Sequence, residues 1–431
     1  MQITLNNVGF IKNATVRLTG LNVIAGPNGT GKSTVGKTVY SIIKSISDST
    51  KTLFEDRKAL VESMCKSLFF SIQANLQRSD PKTRNHDVKI LLDNFTSPFA
   101  GELVKLLKIS DYTNAQHHII EHINLIDAFL TLDDKSKLSA KKSLNDLKSV
   151  FIDISEKEEI KHSIEYMYKK IFRCQVNNLN THATSKVIVD NNDETLLEYE
   201  ISNNASVLPF SERLTIKTNE NLKQRIWPEV TFFETPLVLQ AANSDNLPYY
   251  WEDLIEKLKT NIQKSESRLC TDVYSSLAEL LRGELVYITD KQDFFFVPMN
   301  TENNLFVNNM ASGEKMFGIL QKLAKYGYIS SEHLLIFDEP ENHLHPQWQV
   351  KLAELLVTLL ENDVPLLLTT HSSTFISALQ DFAYAKDLQE KVHFYFADPK
   401  TCIIKDVNNY AEKEDVIFKS FYDAKELLPD M

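Results

Sequence analysis

The chain has 431 residues, 43% of them hydrophobic and 24% charged, with a formal net charge of −11. That length suggests two or three domain-sized units with a substantial core, and the acidic balance argues against a broad, non-specific nucleic-acid binder. Four scattered cysteines (Cys65, Cys174, Cys270, Cys402) form no C-x-x-C and point away from a disulfide frame or zinc site.

Residues 1–25 alternate apolar and polar positions, with Ile3, Leu5 and Val8 followed by Ile11, Ala14, Val16 and Leu18. This predicts two short strands, and the apolar run Leu21 to Ala25 predicts a third. The start has neither the basic nor the apolar region of a secretion signal, no run approaches membrane-spanning length, and a cytoplasmic setting is expected. Gly26-Pro27-Asn28-Gly29-Thr30-Gly31-Lys32-Ser33-Thr34 then fits the P-loop pattern G-x-x-x-x-G-K-[ST]. Glycines let backbone N–H groups turn inward around phosphate oxygens. Lys32 can reach the β- and γ-phosphates, and the Ser33 hydroxyl can ligate Mg²⁺. Val35, Val39, Ile42 and Ile43 follow at helical spacing, so a helix N-terminus points at the phosphates.

From about Ser47 to Asn180 the pattern is mostly helical, with Leu60, Met64, Leu68 and Ile72 read as one face, then Ile119, Ile123, Ile126 and Phe129. Asp80-Pro81 and Ser97-Pro98 are expected to interrupt it. Residues 186–190, 197–201 and 214–216 read as short strands, with turns at Asn191-Asn192 and Asn203-Asn204. Glu229 to Glu234 reads as a buried strand, and 251–282 returns to helix. Strands at 285–289 and 294–298 lead to a helix from about Gly313 to Tyr326. Two buried strands, Leu334–Phe337 and Leu366–Thr369, flank a helix from Pro346 to Asn362, which is βαβ alternation and predicts an α/β sheet. A strand at Val392–Phe396, another near Ile403 and a terminal helix complete the chain.

The strand Leu334 to Phe337 ends in Asp338 and Glu339. Beside a P-loop, Asp338 is a candidate Mg²⁺ ligand and Glu339 a candidate to orient or deprotonate the attacking water. The next strand ends in His371, expected at the same sheet edge and therefore near the γ-phosphate or the water. Ser312-Gly313-Glu314-Lys315 opens a helix whose N-terminus could meet the γ-phosphate of a second nucleotide.

This order of motifs resembles the ABC-type ATPases. It is similar in particular to the non-transporter heads of the SMC, RecF and overcoming-lysogenization-defect (OLD) group. Asp338-Glu339-Pro340-Glu341-Asn342-His343-Leu344-His345-Pro346 with Thr369-Thr370-His371-Ser372 resembles the bacterial OLD-like AAA ATPases. The resemblance rests on about residues 1–45, 225–245 and 305–380. It implies an α/β P-loop NTPase of ABC-ATPase type with a helical insertion and a small β insertion. The expected layout is an N-terminal ATPase lobe (1–45), a helical insertion (46–180), a β-rich insertion (181–220), a core strand with the Q-loop region (221–250), a helical/β connection (251–304) and a C-terminal lobe (305–431).

It further implies ATP and Mg²⁺ as ligands. Asn28, Gly29, Thr30, Gly31, Lys32, Ser33 and Thr34 would bind nucleotide. Lys32, Glu339 and His371 would act in catalysis, and Ser33 and Asp338 would hold metal, with Gln240 a further candidate as the Q-loop glutamine. Ser312, Gly313 and Glu314 would be the signature, acting in trans across a homodimer or larger homo-oligomer that sandwiches ATP. There are departures. The signature reads Ala-Ser-Gly-Glu-Lys where transporters carry Leu-Ser-Gly-Gly-Gln, His345 stands at the D-loop aspartate position, and no aromatic clearly meets adenine. His343 and His345 are read as structural or interfacial rather than as a metal pair.

Three roles follow. About 60 residues after His371 hold no D-x-D cluster, so the resemblance to two-component anti-phage systems such as Septu or PARIS implies a separate effector, such as a nuclease. A RecF- or SMC-like DNA-binding ATPase of repair is the alternative, although lysines such as Lys137, Lys141, Lys142 and Lys148 are interleaved with acids. A transporter ATP-binding subunit is disfavoured by the 280 residues between Lys32 and Ser312.

Overall fold

The computed structural model describes residues 1–76, 81–178, 181, 183–192, 194–203, 209–260, 267–299, 303–342, 344–407 and 417. The chain divides into two compact units, Met1–Ser47 with Ile164–Met431, and Asp48–Ser163. Strands β1 (Gln2–Val8), β2 (Ile11–Arg17) and β3 (Leu21–Ala25) precede helix α1 (Lys32–Ser47). Helices α2 (Ser49–Leu76), α3 (Pro81–Asn94), α4 (Ser97–Lys108), α5 (Tyr112–Leu125), α6 (Asp134–Lys148) and α7 (Glu156–Phe172) follow. Next come β4 (Ser185–Asn191), β5 (Glu194–Ile201), the single turn α8 (Phe210–Arg213), β6 (Leu214–Thr218), the single turn α9 (Leu222–Arg225) and β7 (Glu229–Phe233). After α10 (Tyr249–Lys259) and α11 (Arg268–Leu281) stand β8 (Gly283–Ile288), β9 (Asp293–Pro298) and β10 (Leu305–Phe306). The remainder is α12 (Ser312–Lys325), β11 (His333–Asp338), α13 (Pro346–Glu361), β12 (Leu366–Thr370), α14 (Ser373–Ala385), β13 (Val392–Asp398) and β14 (Ile403–Asp406).

Eleven strands form one sheet in the order β6-β5-β4-β1-β2-β14-β13-β3-β12-β11-β7. Its functional half is parallel, with β13, β3, β12, β11 and β7 running side by side. Strands β3, β11 and β12 are buried at every position, which is why they read as continuous apolar runs. The β-rich insertion adds β4, β5 and β6 to the far side of this same sheet, through pairs such as Leu5↔Val187 and Ile3↔Val189. Residues 164–178 pack with this unit, so the helical unit ends earlier than the expected 180. A second sheet, β10-β9-β8, takes β8 and β9 from the 251–304 connection and β10 from the two residues that follow it.

The unit Asp48–Ser163 has its own core. The buried face of α2 is Val61, Cys65, Leu68, Ile72 and Leu76, whereas Leu60 is exposed. Of the expected face, Leu68 and Ile72 are buried and Met64 packs partly buried against the core, while Leu60 alone turns outward and Val61 and Cys65 take the inner positions. These side chains join Leu103, Leu107, Ile119, Phe129, Leu144 and Phe151 in one cluster. Each such burial stabilises by ~1.5–3 kcal/mol relative to exposure. Ser97-Pro98 marks a helix boundary: it opens α4, where proline's missing N–H costs nothing. Asp80, Asn204 and the expected terminal helix lie outside the described residues. Among the described residues no helix is long and apolar enough to cross a membrane.

At the N-terminal ends of β7 and β11, two buried lysines share two carboxylates. Lys257 Nζ lies 2.9 Å from Glu229 Oε1 and 3.0 Å from Asp253 Oδ2, and donates to Thr231 Oγ1 at 2.9 Å. Lys44 Nζ lies 2.8 Å from Asp253 Oδ1. Removing one partner strands the others without water, so Lys257→Met is expected to cost about 3–5 kcal/mol, read by chemical denaturation. A loss under ~1 kcal/mol would mean that the cluster relaxes freely. Burial pushes the Asp253 carboxyl up, but Lys257 and Lys44 outweigh it and hold it below the ordinary 3.8. The stability it contributes is therefore present above that value and lost as pH falls through the lower folded one.

Candidate functional site

The parallel strands all end at one edge, and the register brings the candidate residues to it. Ala25 pairs with Thr370, Thr369 with Asp338, and Phe337 with Phe233. The next residues on β3, β12, β11 and β7 are Gly26, His371, Glu339 and Glu234. Four segments far apart in sequence thus converge where open α/β sheets bind ligands.

The loop leaving β3 is shaped by close approach. Gly31 has φ 89°, and a Cβ there would lie 2.8 Å from Ile11 Cγ1. A Cβ on Gly26 would lie 2.7 Å from the Ala397 carbonyl oxygen. Thr30 Oγ1 donates to the Pro27 carbonyl at 2.9 Å, closing the loop, and Thr34 N donates to the Gly31 carbonyl at 3.0 Å as α1 begins. Asn28 and Gly29 form the exposed crest. Lys32 is buried inside the loop: Nζ donates to the carbonyls of Gly26 and Pro27, both at 2.9 Å, and lies 3.3 Å from Glu339 Oε1. These groups form a compact cationic cradle ahead of a helix N-terminus.

Thr369 joins the two strands that carry the acids. Its Oγ1 donates to Asp338 Oδ1 at 2.5 Å and accepts from Glu339 N at 3.0 Å. The second bond, with Glu339 N to the Thr369 carbonyl at 3.1 Å, holds Glu339 in the left-handed region at φ 49°. A non-glycine residue held there stores strain, a recurrent feature of reactive positions. Asn342 Nδ2 donates to Glu339 Oε2 at 2.9 Å, and His371 Nδ1 lies 3.5 Å from the same oxygen.

The two acids are tuned apart. Burial pushes the Asp338 carboxyl up, opposed by hydrogen bonds from Thr369 and Ser33 and by the charge of Lys37. Burial also pushes Glu339 up, but the Asn342 bond and the charge of Lys32, joined by His371 when it is protonated, more than offset it, so Glu339 is held below its ordinary value. Glu339 is therefore ionised at neutral pH. The Ser33–Asp338 contact sets two hard oxygens side by side, the donor type that Mg²⁺ takes alongside phosphate oxygens and water.

Four residues to which the sequence reading gave no role complete the edge. Glu234 accepts from Lys37 Nζ at 2.8 Å, from Tyr250 OH at 3.0 Å and from Trp251 Nε1 at 3.0 Å, tying α1 to the end of β7. Lys37 stands one turn after Ser33, so helical spacing could have flagged it. Thr369 and Glu341 lay in quoted motifs but needed the strand pairing to acquire roles. The expectation for Gln240 finds no support: its side chain is exposed after a 3₁₀ turn (Pro236–Leu239), and among the described residues no hydrogen bond joins it to the site. The residue leaving β7 at the edge is Glu234.

Ser312, Gly313 and Glu314 form the first turn of α12. The Glu314 side chain accepts from the Ala311 backbone N–H at 3.2 Å, so the residue that departs from the transporter signature caps its own helix. His345 caps α13, accepting from Gln347 N at 3.4 Å, a structural role. His343 lies outside the described residues.

A family model described as an AAA ATPase domain matches residues 1–376. Septu protein PtuA of Bacillus thuringiensis is 29% identical over 133 residues, covering 28% of this chain and 32% of that protein. Endonuclease GajA of Bacillus cereus (strain HuB5-5) is 21% identical over 401 residues, covering 83% of this chain and 52% of that protein. The chain thus spans about a third and about half of these relatives' lengths. Solved structures that match include an SMC head bound to the C-terminal winged-helix domain of ScpA, at TM-score 0.39 and 10% identity over 94% of this chain and 96% of that one. The SMC head domain from Thermotoga maritima matches at TM-score 0.37 and 10% identity, over 94% and 97%.

Proposed function

The chain belongs to the family of AAA ATPase domains, and from that premise we propose a Mg²⁺-dependent ATP hydrolase that pairs head to head around ATP. In this reading it works in the bacterial cytoplasm and controls a separate effector protein, a nuclease or toxin, in anti-phage defence. The observation that carries the hydrolase is the convergence of Lys32, Ser33, Asp338, Glu339 and His371 at one sheet edge.

Asn28, Gly29, Thr30, Gly31 and Thr34 hold the phosphates through the loop and helix start, and Lys32 neutralises them. Ser33 and Asp338 would hold Mg²⁺, which would supply positive charge against the phosphates. Glu339, ionised, orients water and takes its proton. Lys32 is shared between the loop and Glu339 at 3.3 Å. As the ammonium turns to phosphate, the charge holding Glu339 down weakens and the carboxylate becomes a better base. His371 faces the γ-phosphate or the water. Ser312 and Gly313 open α12, and Glu314 is folded back on Ala311, which supports a role for the helix's first turn against a partner's γ-phosphate.

The effector half rests on kinship: one relative is named as a Septu protein and another as an endonuclease. The test is affinity purification of wild type and Glu339→Gln in Mg²⁺–ATP, with sizing and mass spectrometry of what copurifies. The expected result is an ATP-stabilised dimer or larger oligomer carrying a nuclease or toxin. Copurifying duplex DNA without such a protein would favour a DNA-maintenance role, and a permease would overturn the proposal.

A further inference from the structure

Two buried polar atoms at this edge have no hydrogen-bond partner among the described residues, and they sit on neighbouring side chains. They are Glu341 Oε2 and His371 Nδ1. Glu341 is only 4% exposed. Its Oε1 accepts from Thr370 Oγ1 at 2.5 Å and from the His371 backbone N–H at 2.9 Å. Ser372 N donates to the same Thr370 hydroxyl at 3.0 Å, so the backbone on either side of His371 is anchored to this carboxyl. The His371 ring stands between two acids, with Nδ1 3.6 Å from Glu341 Oε1 and 3.5 Å from Glu339 Oε2.

Hydrogen-bond accounting decides between them. A buried polar group left unsatisfied costs about 1–3 kcal/mol, and more when it is charged. Glu339 already has Asn342 on Oε2 and Lys32 beside Oε1. Glu341 Oε2 has no such partner among the described residues. Neutral imidazole carries one N–H. With the proton on Nδ1, the ring can donate to the Glu341 carboxylate, whose Oε1 lies 3.6 Å away, and Nδ1 is no longer left without a partner. With the proton on Nε2, the Nδ1 lone pair would stand 3.6 Å from an acceptor oxygen of the ionised Glu341 carboxylate.

We propose that Glu341 is a positioning residue for ATP hydrolysis: it accepts the Nδ1–H of His371, fixes that tautomer and leaves Nε2 as the nitrogen that meets the nucleotide. This deepens, and rests on, the reading of the site as one for ATP hydrolysis. The His371 side chain is 37% exposed although Nδ1 is buried, so the open edge of the ring carries Nε2. A carboxylate on the far nitrogen orients the ring, and when Nε2 takes a proton from solvent to give the imidazolium, that carboxylate offsets its charge while Nε2–H donates to the γ-phosphate. Glu339 is thereby left free for water.

The experiment reads the tautomer directly. Protein labelled with ¹⁵N-histidine and free of nucleotide is examined by long-range ¹H–¹⁵N correlation, with His371 assigned by its loss in His371→Asn. Wild type is expected to show the Nδ1–H form. In Glu341→Gln an NH₂ stands where the carboxylate had an acceptor oxygen, and the Nδ1 lone pair can accept from it, so His371 shifts to the Nε2–H form. The same variant is expected to lose about tenfold or more in kcat with little change in KM for ATP. An Nε2–H form in wild type overturns the proposal, and needs no variant to be seen. So does a tautomer that Glu341→Gln leaves unchanged. Because the tautomer is read without nucleotide, a wild type that fails to turn over ATP would sink the hydrolase reading while leaving the pairing of Glu341 with His371 decided on its own evidence.

Discussion

Glu339→Gln is expected to cut single-turnover ATP hydrolysis by about 10²–10⁴-fold, the span of a lost general base, while ATP binding survives. The amide keeps the volume of the carboxyl and can still accept from Asn342, which donates at 2.9 Å. The left-handed backbone at φ 49° is held by Thr369 rather than by the side chain, so it too should persist. What disappears is the negative charge beside Lys32, 3.3 Å away. Lys32 then has one competitor fewer for phosphate, so affinity should hold or rise. The variant should elute with unhydrolysed ATP and accumulate as the larger species on sizing. Turnover within a factor of about three of wild type would remove Glu339 as the base, because that is under 1 kcal/mol of barrier.

The contrast between Glu339 and its neighbours explains what a sequence can disclose about such a site. The P-loop is legible because its chemistry is local: three glycines, a lysine and a hydroxyl within nine residues, between a buried strand and a helix. Asp338 and Glu339 are legible because an apolar run ends abruptly in acid. The partners of these residues are another matter. Lys37 meets Glu234 from 197 positions away, and Thr369 reaches Asp338 across 31. Those contacts exist only because β11 lies between β7 and β12, and strand order is not written in any local period. Glu341 is the sharper case. Its motif is conspicuous, yet an acid three residues beyond Asp338 reads as a solvated turn until the turn folds it under His371.

The same logic accounts for the displaced expectations. Alternation marks β4 as a strand but carries no information that Val187 pairs with Leu5, so the sheet that the insertion extends is not legible from its period. On α2, Leu60 and Val61 are adjacent and both apolar, and a period of 3.6 cannot choose which of the two opens a stripe that both share at Leu68 and Ile72. Strand β10 spans two residues, too short for any period to register. Gln240 is the nearest glutamine after β7. Chain distance is a poor guide there, because the 3₁₀ turn from Pro236 carries it to the surface while Glu234 stays at the edge.

Lys32→Ala is expected to produce the largest loss of nucleotide affinity, on the order of 10²-fold or more, since charge-assisted bonds to phosphate are worth roughly 1.5–3 kcal/mol each. The buried ammonium already occupies the centre of the loop, 2.9 Å from two carbonyls and 3.3 Å from Glu339. Its charge is therefore compensated before any nucleotide arrives, and the loop is organised around it. Truncation leaves the carbonyls of Gly26 and Pro27 without their donor, so a modest loss of stability, about 1–3 kcal/mol, should accompany the binding defect. Lys32→Arg should not rescue. A planar guanidinium with donors in a fixed fork does not fit a cage built for a compact ammonium that is only 3% exposed. Calorimetric titration with Mg²⁺–ATP, alongside thermal unfolding, separates the two effects. Affinity within about threefold of wild type in either variant would mean that phosphate is held elsewhere, since a charge-assisted bond lost outright costs more than that. With Glu339→Gln the pair divides the site cleanly: one variant binds without turning over, the other cannot bind, and a protein whose ATP-dependent assembly survives in the first and fails in the second uses ATP binding, rather than hydrolysis, to assemble.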